Sequence, residues 1–431
     1  MNRGILSLGL AILTVGCASD NSDFLAGTRQ NAGPAPLLYI WAGDLDRGAS
    51  DSDFLAVIDS DPHSPSYGEV LATEPVGVVG TNPHHTELSV PTGAALLANG
   101  YDAGRTFMFD LSVPDAPRLV DELAPVPGYE FPHSFLRLDD GQVLATMQYG
   151  DGSVPGNPGG LVRFDKDANL ISTTSAADPA FEGEQIRPYH VEVIPASDRV
   201  VTTSRTMRIF TEQAADVVQI WRLSDLALLH TLQVPRGEPT SSPECVFGIG
   251  DICEAGQYPA EAQPFESRVM NDGSVLMNTL MCGLYRMNGI DTSEPGIELV
   301  LNYPNLFGCS VPTTIGDFMV LPVMFSETIL VFDISDPTDI KEVSRFDTPG
   351  YQPHWAATDP GASRIVVTSS GMAPTYTVLI FDFDAEAGKL SLDESFGAAE
   401  FPRAGVSFYR ESWPHGDTGT AVPHAALFGY R

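Results

Sequence analysis

PHHTELSV at residues 83–90, PHSFLRL at 132–138, PYHVEVI at 188–194, PHWAATD at 353–359 and PHAALFG at 423–429 repeat one pattern. A proline is followed within two positions by a histidine, then by a short apolar run. His85, His133, His190, His354 and His424 take the equivalent place, five of the nine histidines in the chain. A polar turn and a second run ending in small or hydroxyl residues usually follow, as in GQVLATMQ from Gly141 and DRVVTTS from Asp198. Self-similarity at a period of roughly 40 to 50 residues is the signature of a propeller or solenoid.

Reading outward from each start gives strand quartets. Blade two runs HHTELSV, AALLANG, RTFMFDLS and RLVDELAPV, and blade four runs HVEVIP, RVVTTS, VVQIWRLS and ALLHTLQV. Blades three and seven start at His133 and His354; blade five starts at PFESRVM, with Glu266 near the histidine register, and blade six at CSVPTTI from Cys309. The N-terminal region supplies three further strands, LLYIWAG, FLAVIDS and GEVLATEPV, and the C-terminus one orphan, PHAALFGY. Together they make one more blade, so the expected fold is all-β: a seven-bladed β-propeller over residues 37–431, closed by the C-terminal strand.

Composition narrows the function classes. The chain has 431 residues, 56 acidic against 23 basic, and a net charge of -33. Such a surplus repels phosphate backbones and anionic lipid surfaces, which argues against nucleic acid as a partner. The opening MNRGILSLGLAILTVGC has an early positive charge, an apolar stretch too short for a permanent span and a terminal cysteine. It resembles a lipoprotein signal, residues 1–17, although Thr14 stands where leucine is usual and cleavage by an ordinary signal peptidase is the alternative. Cys17 then becomes the lipidated first residue, 18–36 a polar tether, and the lipid the only membrane attachment, with a periplasmic or surface location and the outer membrane favoured. Four cysteines remain. Cys245 and Cys253 share one irregular insert and form the simplest disulfide in an exported protein, leaving Cys282 and Cys309 to pair or stay free.

Rotational repetition carries the histidine register to a common axis. Imidazoles converging there suit a transition metal, with copper favoured by affinity. The candidate ligands are His85, His133, His190, His354 and His424, with His84 and Glu266 beside them. Strict alternation along the strand turns His84 away from the channel and brings Glu87 and Glu192 onto the side of His85 and His190. Those two glutamates are the candidates for orienting ligands or moving protons.

FLAVIDSDPHSPSYGEVL (54–71), the double histidine after it, VQIWRLSDLALLHTLQV from Val218, the Glu266 segment and VFDISDPTDIKEVSRF from Val331 resemble the selenium-binding protein family, which includes the methanethiol oxidases. The resemblance implies a seven-bladed propeller. For the oxidase members it implies copper-dependent conversion of methanethiol and oxygen to formaldehyde, hydrogen sulfide and hydrogen peroxide. One departure is plain: members associated with selenium binding carry a cysteine in the early strand, and Leu37–Gly43 has none. The leading expectation is a metal-dependent oxidoreductase acting on a small thiol. The alternative is a non-catalytic surface propeller that binds a protein or glycan around a structural metal; hydrolysis by a metal-activated water is a third reading.

Overall fold

The computed structural model describes residues 33–45, 51–150, 157–208, 212, 214–238, 260–369, 375–397, 404–416 and 419–431. Cys17 and the Cys245–Cys253 pair lie outside these residues, as does much of the long loops.

The described strands form seven antiparallel sheets, each a meander that begins near a common axis. The expected all-β propeller is the fold observed. Six blades are built from consecutive strands, with inner strands Pro83–Thr86, Tyr129–Arg137, Pro188–Ile194, Pro264–Val269, Thr313–Ile315 and Pro353–Thr358. Blade one is split: Gly419–Gly429, from the chain end, lies inside Leu37–Asp44, Phe54–Asp59 and Val70–Pro75. Leu37 pairs with Gly429 and Trp41 with Ala425. Both neighbours of Leu37–Asp44 are thereby hydrogen-bonded, and the ring has no open sheet edge there.

Burial explains why these sequences read as they do. In blade one LLYIWAGD and FLAVID are buried at every position, because adjacent blades cover both faces of the middle strands. The outermost strand of blade six, KEVSRFD, alternates between exposed and half-buried, as a strand facing water on one side must. Aromatic rings fill the wedges between blades. Trp41 lies 5.7 Å from Phe107 and 5.6 Å from Phe109 across the junction of blades one and two.

Blade six differs from the sequence reading. Its inner strand is expected to begin at Cys309, but the paired segment is only Thr313–Ile315, preceded by an isolated bridge from Cys309 to Val323. Cys309 is bonded to Cys282, with Cα atoms 5.1 Å apart. The disulfide takes the place of regular pairing at this point and removes Cys309 from the donors available at the axis.

Closure by a single strand is open to test. Phe428 is buried in the largest hydrophobic cluster, so Phe428→Ala should cost about 3 kcal/mol in chemical denaturation. Truncation before Val422 should abolish the cooperative transition altogether. Retention of the full-length unfolding midpoint by the truncated chain would show that ring closure contributes nothing.

Candidate metal centre

The inner strands are not regular at the histidines. Between Pro83 and Thr86 the register against the second strand shifts, and the same irregularity falls between Pro132 and Phe135, Pro188 and Val191, Pro264 and Ser267, and Pro353 and Trp355. The closing strand has its shift between Pro423 and Ala425, around His424. Proline supplies no N–H, so a bulge that begins at proline takes one fewer backbone donor out of the ladder. A bulge also releases side chains from strict alternation. His84 and His85 consequently face the same space, contrary to the expectation that alternation turns His84 away.

His84, His85 and His133 each offer a ring nitrogen within 4.8 Å of one another, close to the about 4 Å at which two ligand nitrogens face each other across one ion. All three are buried, and the Nε2 atom of each has no hydrogen-bond partner. Buried polar atoms without partners are costly, and three in one place are a strong sign of a group that completes them. His354 and His424 join from the far side. Their Nε2 atoms are 3.0 Å apart, and the His424 ring lies 4.2 Å from that of His84.

The tautomer at His133 follows from its surroundings. Nδ1 lies 3.0 Å from the Tyr189 carbonyl, which can only accept. The proton therefore sits on Nδ1, and the Nε2 lone pair points into the cluster. Ser134 Oγ stands 3.1 Å from His133 Nδ1 and 3.3 Å from His85 Nδ1. Asn99 fixes the backbone beneath: its Oδ1 accepts from His85 N at 2.6 Å, and its Nδ2 donates to the carbonyls of Pro132 and His133 at 2.8 and 2.9 Å. The Trp355 ring lies edge-on to His85 at 4.9 Å and closes the apolar wall.

His190 and the glutamates behave differently. His190 Nδ1 is 2.8 Å from Glu266 Oε2, and its Nε2 is 3.3 Å from Glu192 Oε1. With Glu266 beside Nδ1, and both Glu192 and Arg268 Nη1 at 3.3 Å from Nε2, His190 is enclosed by charged groups rather than an open ligand. Burial works against its charge, but Glu266 and Glu192 outweigh it and raise its pKa. Burial likewise opposes the charge of Glu266, yet His190 and Arg268 bring its pKa down to about 2. Glu266 Oε1 remains unpartnered, 3.9 Å from His85 Nε2, and is the one carboxylate positioned to join the cluster. Glu87, expected on the same side as His85, is instead held by Arg137 at 2.7 and 2.8 Å and by Leu97 N at 3.1 Å. Its ion pair ties blades two and three together below the histidines.

The other three histidines stand apart. His63 is in an exposed turn, His230 in the outer strand of blade four, and His415 beside Thr73 and Phe54 at the edge of blade one. Sequence reading passes over Asn99, Ser134, Tyr189 and Arg205. A signal for Asn99 exists in the small or hydroxyl residues that end each second strand.

No protein-family model matches the chain. Over 207 residues, 47% of this chain and 46% of the relative, it is 28% identical to a methanethiol oxidase of Hyphomicrobium sp. Over 157 residues, 32% of this chain and 31% of the relative, it is 34% identical to selenium-binding protein 1 of Arabidopsis thaliana. The chain is distantly similar to selenium-binding proteins and methanethiol oxidases. The matched segments span less than half the length of either relative. A solved structure described as a hypothetical selenium-binding protein from Sulfolobus tokodaii superposes with a TM-score of 0.67 at 14% identity, covering 92% of this chain and 94% of the other. A protein from Lactobacillus plantarum gives 0.56 at 14% identity, covering 83% and 95%. These structural likenesses support the propeller. The sequence matches bear out the resemblance to the selenium-binding and methanethiol oxidase proteins.

The cluster has a pH signature. Burial is the main force that lowers the pKa of His84, His85 and His354 well below the usual value, that of His133 to about 3 and that of His424 to about 4. In the unfolded chain all titrate near about 6.5. As pH falls through that value the unfolded state takes up protons that the folded state refuses, so stability is lost by about 1.4 kcal/mol per pH unit for each histidine until its folded pKa is reached. His190, raised by its carboxylates, works in the opposite sense: its contribution is complete below about 6.5 and fades as pH rises through its folded pKa. Urea midpoints of metal-free protein should fall steeply between pH 6.5 and about 4, and His354→Asn should flatten the slope. Equal midpoints at pH 7 and pH 5 would contradict the neutral, buried cluster.

Proposed function

We propose that the chain is a metal-dependent oxidoreductase acting on a small thiol, with copper the favoured ion. The observation that carries this reading is the set of three buried, unpartnered Nε2 atoms of His84, His85 and His133. A metal completes those atoms whether its role is catalytic or structural, so a propeller that binds a protein or glycan around a structural metal is separated from this reading by oxygen uptake with the thiol. The donor set fits the group: neutral imidazoles suit copper and need no proton displaced before they ligate. His84, His85 and His133 would hold the ion, His354 and His424 stand ready as further nitrogen donors, and Glu266 Oε1 as an oxygen donor.

When bound, copper supplies the one-electron chemistry with oxygen that amino-acid side chains lack. The chain supplies position and protons. The carbonyl of Tyr189 fixes the His133 tautomer, and Asn99 fixes the spacing of the His85 and His133 backbones. Glu192, His190 and Glu266 form a connected set that can hold or pass a proton beside the centre. Glu87 does not serve this role, because Arg137 already occupies both of its oxygens. Among the described residues the only cysteines are the bonded Cys282 and Cys309, so the thiol chemistry assigned to the centre uses no protein thiol from this part of the chain.

Purified protein reconstituted with copper should bind one ion, with a copper spectrum dominated by nitrogen ligands. His84→Ala, His85→Ala and His133→Ala should each lower affinity at least about tenfold and abolish oxygen uptake with methanethiol, while the fold persists. His190→Asn should retain the ion. No binding of copper, zinc, iron or nickel at micromolar concentration would defeat the proposal.

The same reading places the protein outside the cytoplasm, anchored through Cys17 with the propeller free of the bilayer. Short apolar character ending in TVGC supports it. Mass spectrometry of protein from the native membrane should find a diacylated Cys17 as the first residue. An unmodified N-terminus beyond Cys17 would refute the anchor.

A further inference from the structure

Four arginines of the described residues are at least nine-tenths buried: Arg187, Arg205, Arg268 and Arg364. Three have a carboxylate within ion-pair distance. Arg187 meets Glu212, Arg268 meets Glu266 at 3.2 Å and Arg364 meets Asp359 at 2.6 Å. Arg205 has none among the described residues. Its side chain makes one hydrogen bond, from Nη1 to the Tyr189 hydroxyl at 3.0 Å, and its buried Nε has no partner.

The guanidinium is nonetheless held in place. It lies over the Phe265 ring at 4.3 Å and the Tyr189 ring at 5.0 Å. Its backbone is fixed on both sides, with the N–H donating to the Arg187 carbonyl and the C=O accepting from Gln148 Nε2 at 2.8 Å. Aromatic stacking fixes the plane of a guanidinium while leaving its N–H edge free to meet an acceptor.

Position links it to the metal centre. The Tyr189 ring, over which Arg205 stacks, has its centroid 3.7 Å from that of the His133 ring. The charge of Arg205 acts on His133 and His354 and interacts with Glu266 and Tyr101, groups carried by four different blades. Of the carboxylates around the cluster, Glu87 is held by Arg137, and Glu192 and Glu266 lie beside His190 and Arg268, with Glu266 Oε1 alone left without a hydrogen bond. Arg205 is thus the surplus buried cation of the centre, and a buried cation is costly until an anion joins it.

We propose that Arg205 is the anion subsite of the centre and that the substrate is a small thiol bearing a carboxylate, whose acid group docks on the free edge of the guanidinium. The substrate class rests on the oxidoreductase reading; the anion subsite does not. A planar carboxylate matches the guanidinium fork and an unsubstituted alkanethiol offers it nothing.

The test separates the two. Metal-free, full-length protein is titrated calorimetrically with propionate, 3-mercaptopropionate and 1-propanethiol, and its thermal midpoint is followed with each. Both acids should bind and raise the midpoint, and 1-propanethiol should do neither. Arg205→Gln should weaken acid binding about tenfold or more and remove the midpoint shift. Arg205→Lys should keep part of it, since the charge remains but the fork is lost. Without acid, Arg205→Gln should melt no lower than the wild type, because it relieves an unpaired buried charge. Acid binding that persists in Arg205→Gln, or equal binding of 1-propanethiol and 3-mercaptopropionate by the wild type, would overturn the proposal. Failure of the protein to bind metal would defeat the oxidoreductase reading while leaving these titrations decisive for Arg205.

Discussion

In five of the seven blades one polar side chain of the second strand pins the inner strands around the axis. Asn99 bonds its own inner strand at His85 and the next at Pro132 and His133. Thr146 accepts from Ser134 N and donates to the Tyr189 carbonyl at 2.7 Å; Thr203 accepts from His190 N and donates to the Phe265 carbonyl at 2.6 Å. Asn278 donates to the Cys309 and Ser310 carbonyls, and Thr368 to that of His424. Each pin satisfies backbone groups that a bulge has taken out of the ladder. Radial blades are joined to their neighbours by the same bonds that set the spacing of the ligands.

That coupling explains what the sequence made legible. The proline-histidine register located the inner strands and the axis, and the orphan PHAALFGY located the closing strand. Both signals survive because they depend on local chemistry repeated at a long period. The direction of each side chain did not follow. Alternation is a rule for regular strands, and a one-residue bulge cancels it at Pro83–Thr86, which is how His84 comes to share a space with His85. Glu87 lost its expected freedom to Arg137, fifty positions away in sequence but adjacent across a parallel contact between inner strands. The hydroxyl and amide residues of the second strands were visible as a pattern. Their role was not, because its partners lie on another blade.

Electrostatics divides the centre into two halves. On one side burial keeps His84, His85, His133, His354 and His424 neutral, and so available as lone-pair donors. On the other, Glu192, Glu266, His190 and Arg268 form a compensated set of charges. Low dielectric favours each state for the same reason: an isolated charge is expelled, and a matched one is retained. The break in this rule is Arg205, a buried cation with no carboxylate within ion-pair distance among the described residues, which is why the proposed anion subsite is placed there.

Ring closure also completes the histidine cluster. His424 lies on the closing strand, paired to Leu37–Asp44 across nearly four hundred residues of chain, and its Nε2 meets that of His354 at 3.0 Å. His84 and His85 come from blade two, His133 from blade three, His354 from blade seven. Blades seven, one, two and three, which carry these five histidines, are consecutive around the ring, and blade one is completed only by the closing strand. An ion held by His84, His85 and His133 alone would bind blades two and three; one that also takes His354 or His424 would favour the closed ring, by mass action in proportion to the logarithm of its concentration over its dissociation constant. Under the proposed metal reading, the imidazoles that cost stability in acid without the ion would, where His424 joins the ligands, become a clasp across the junction that the closing strand completes.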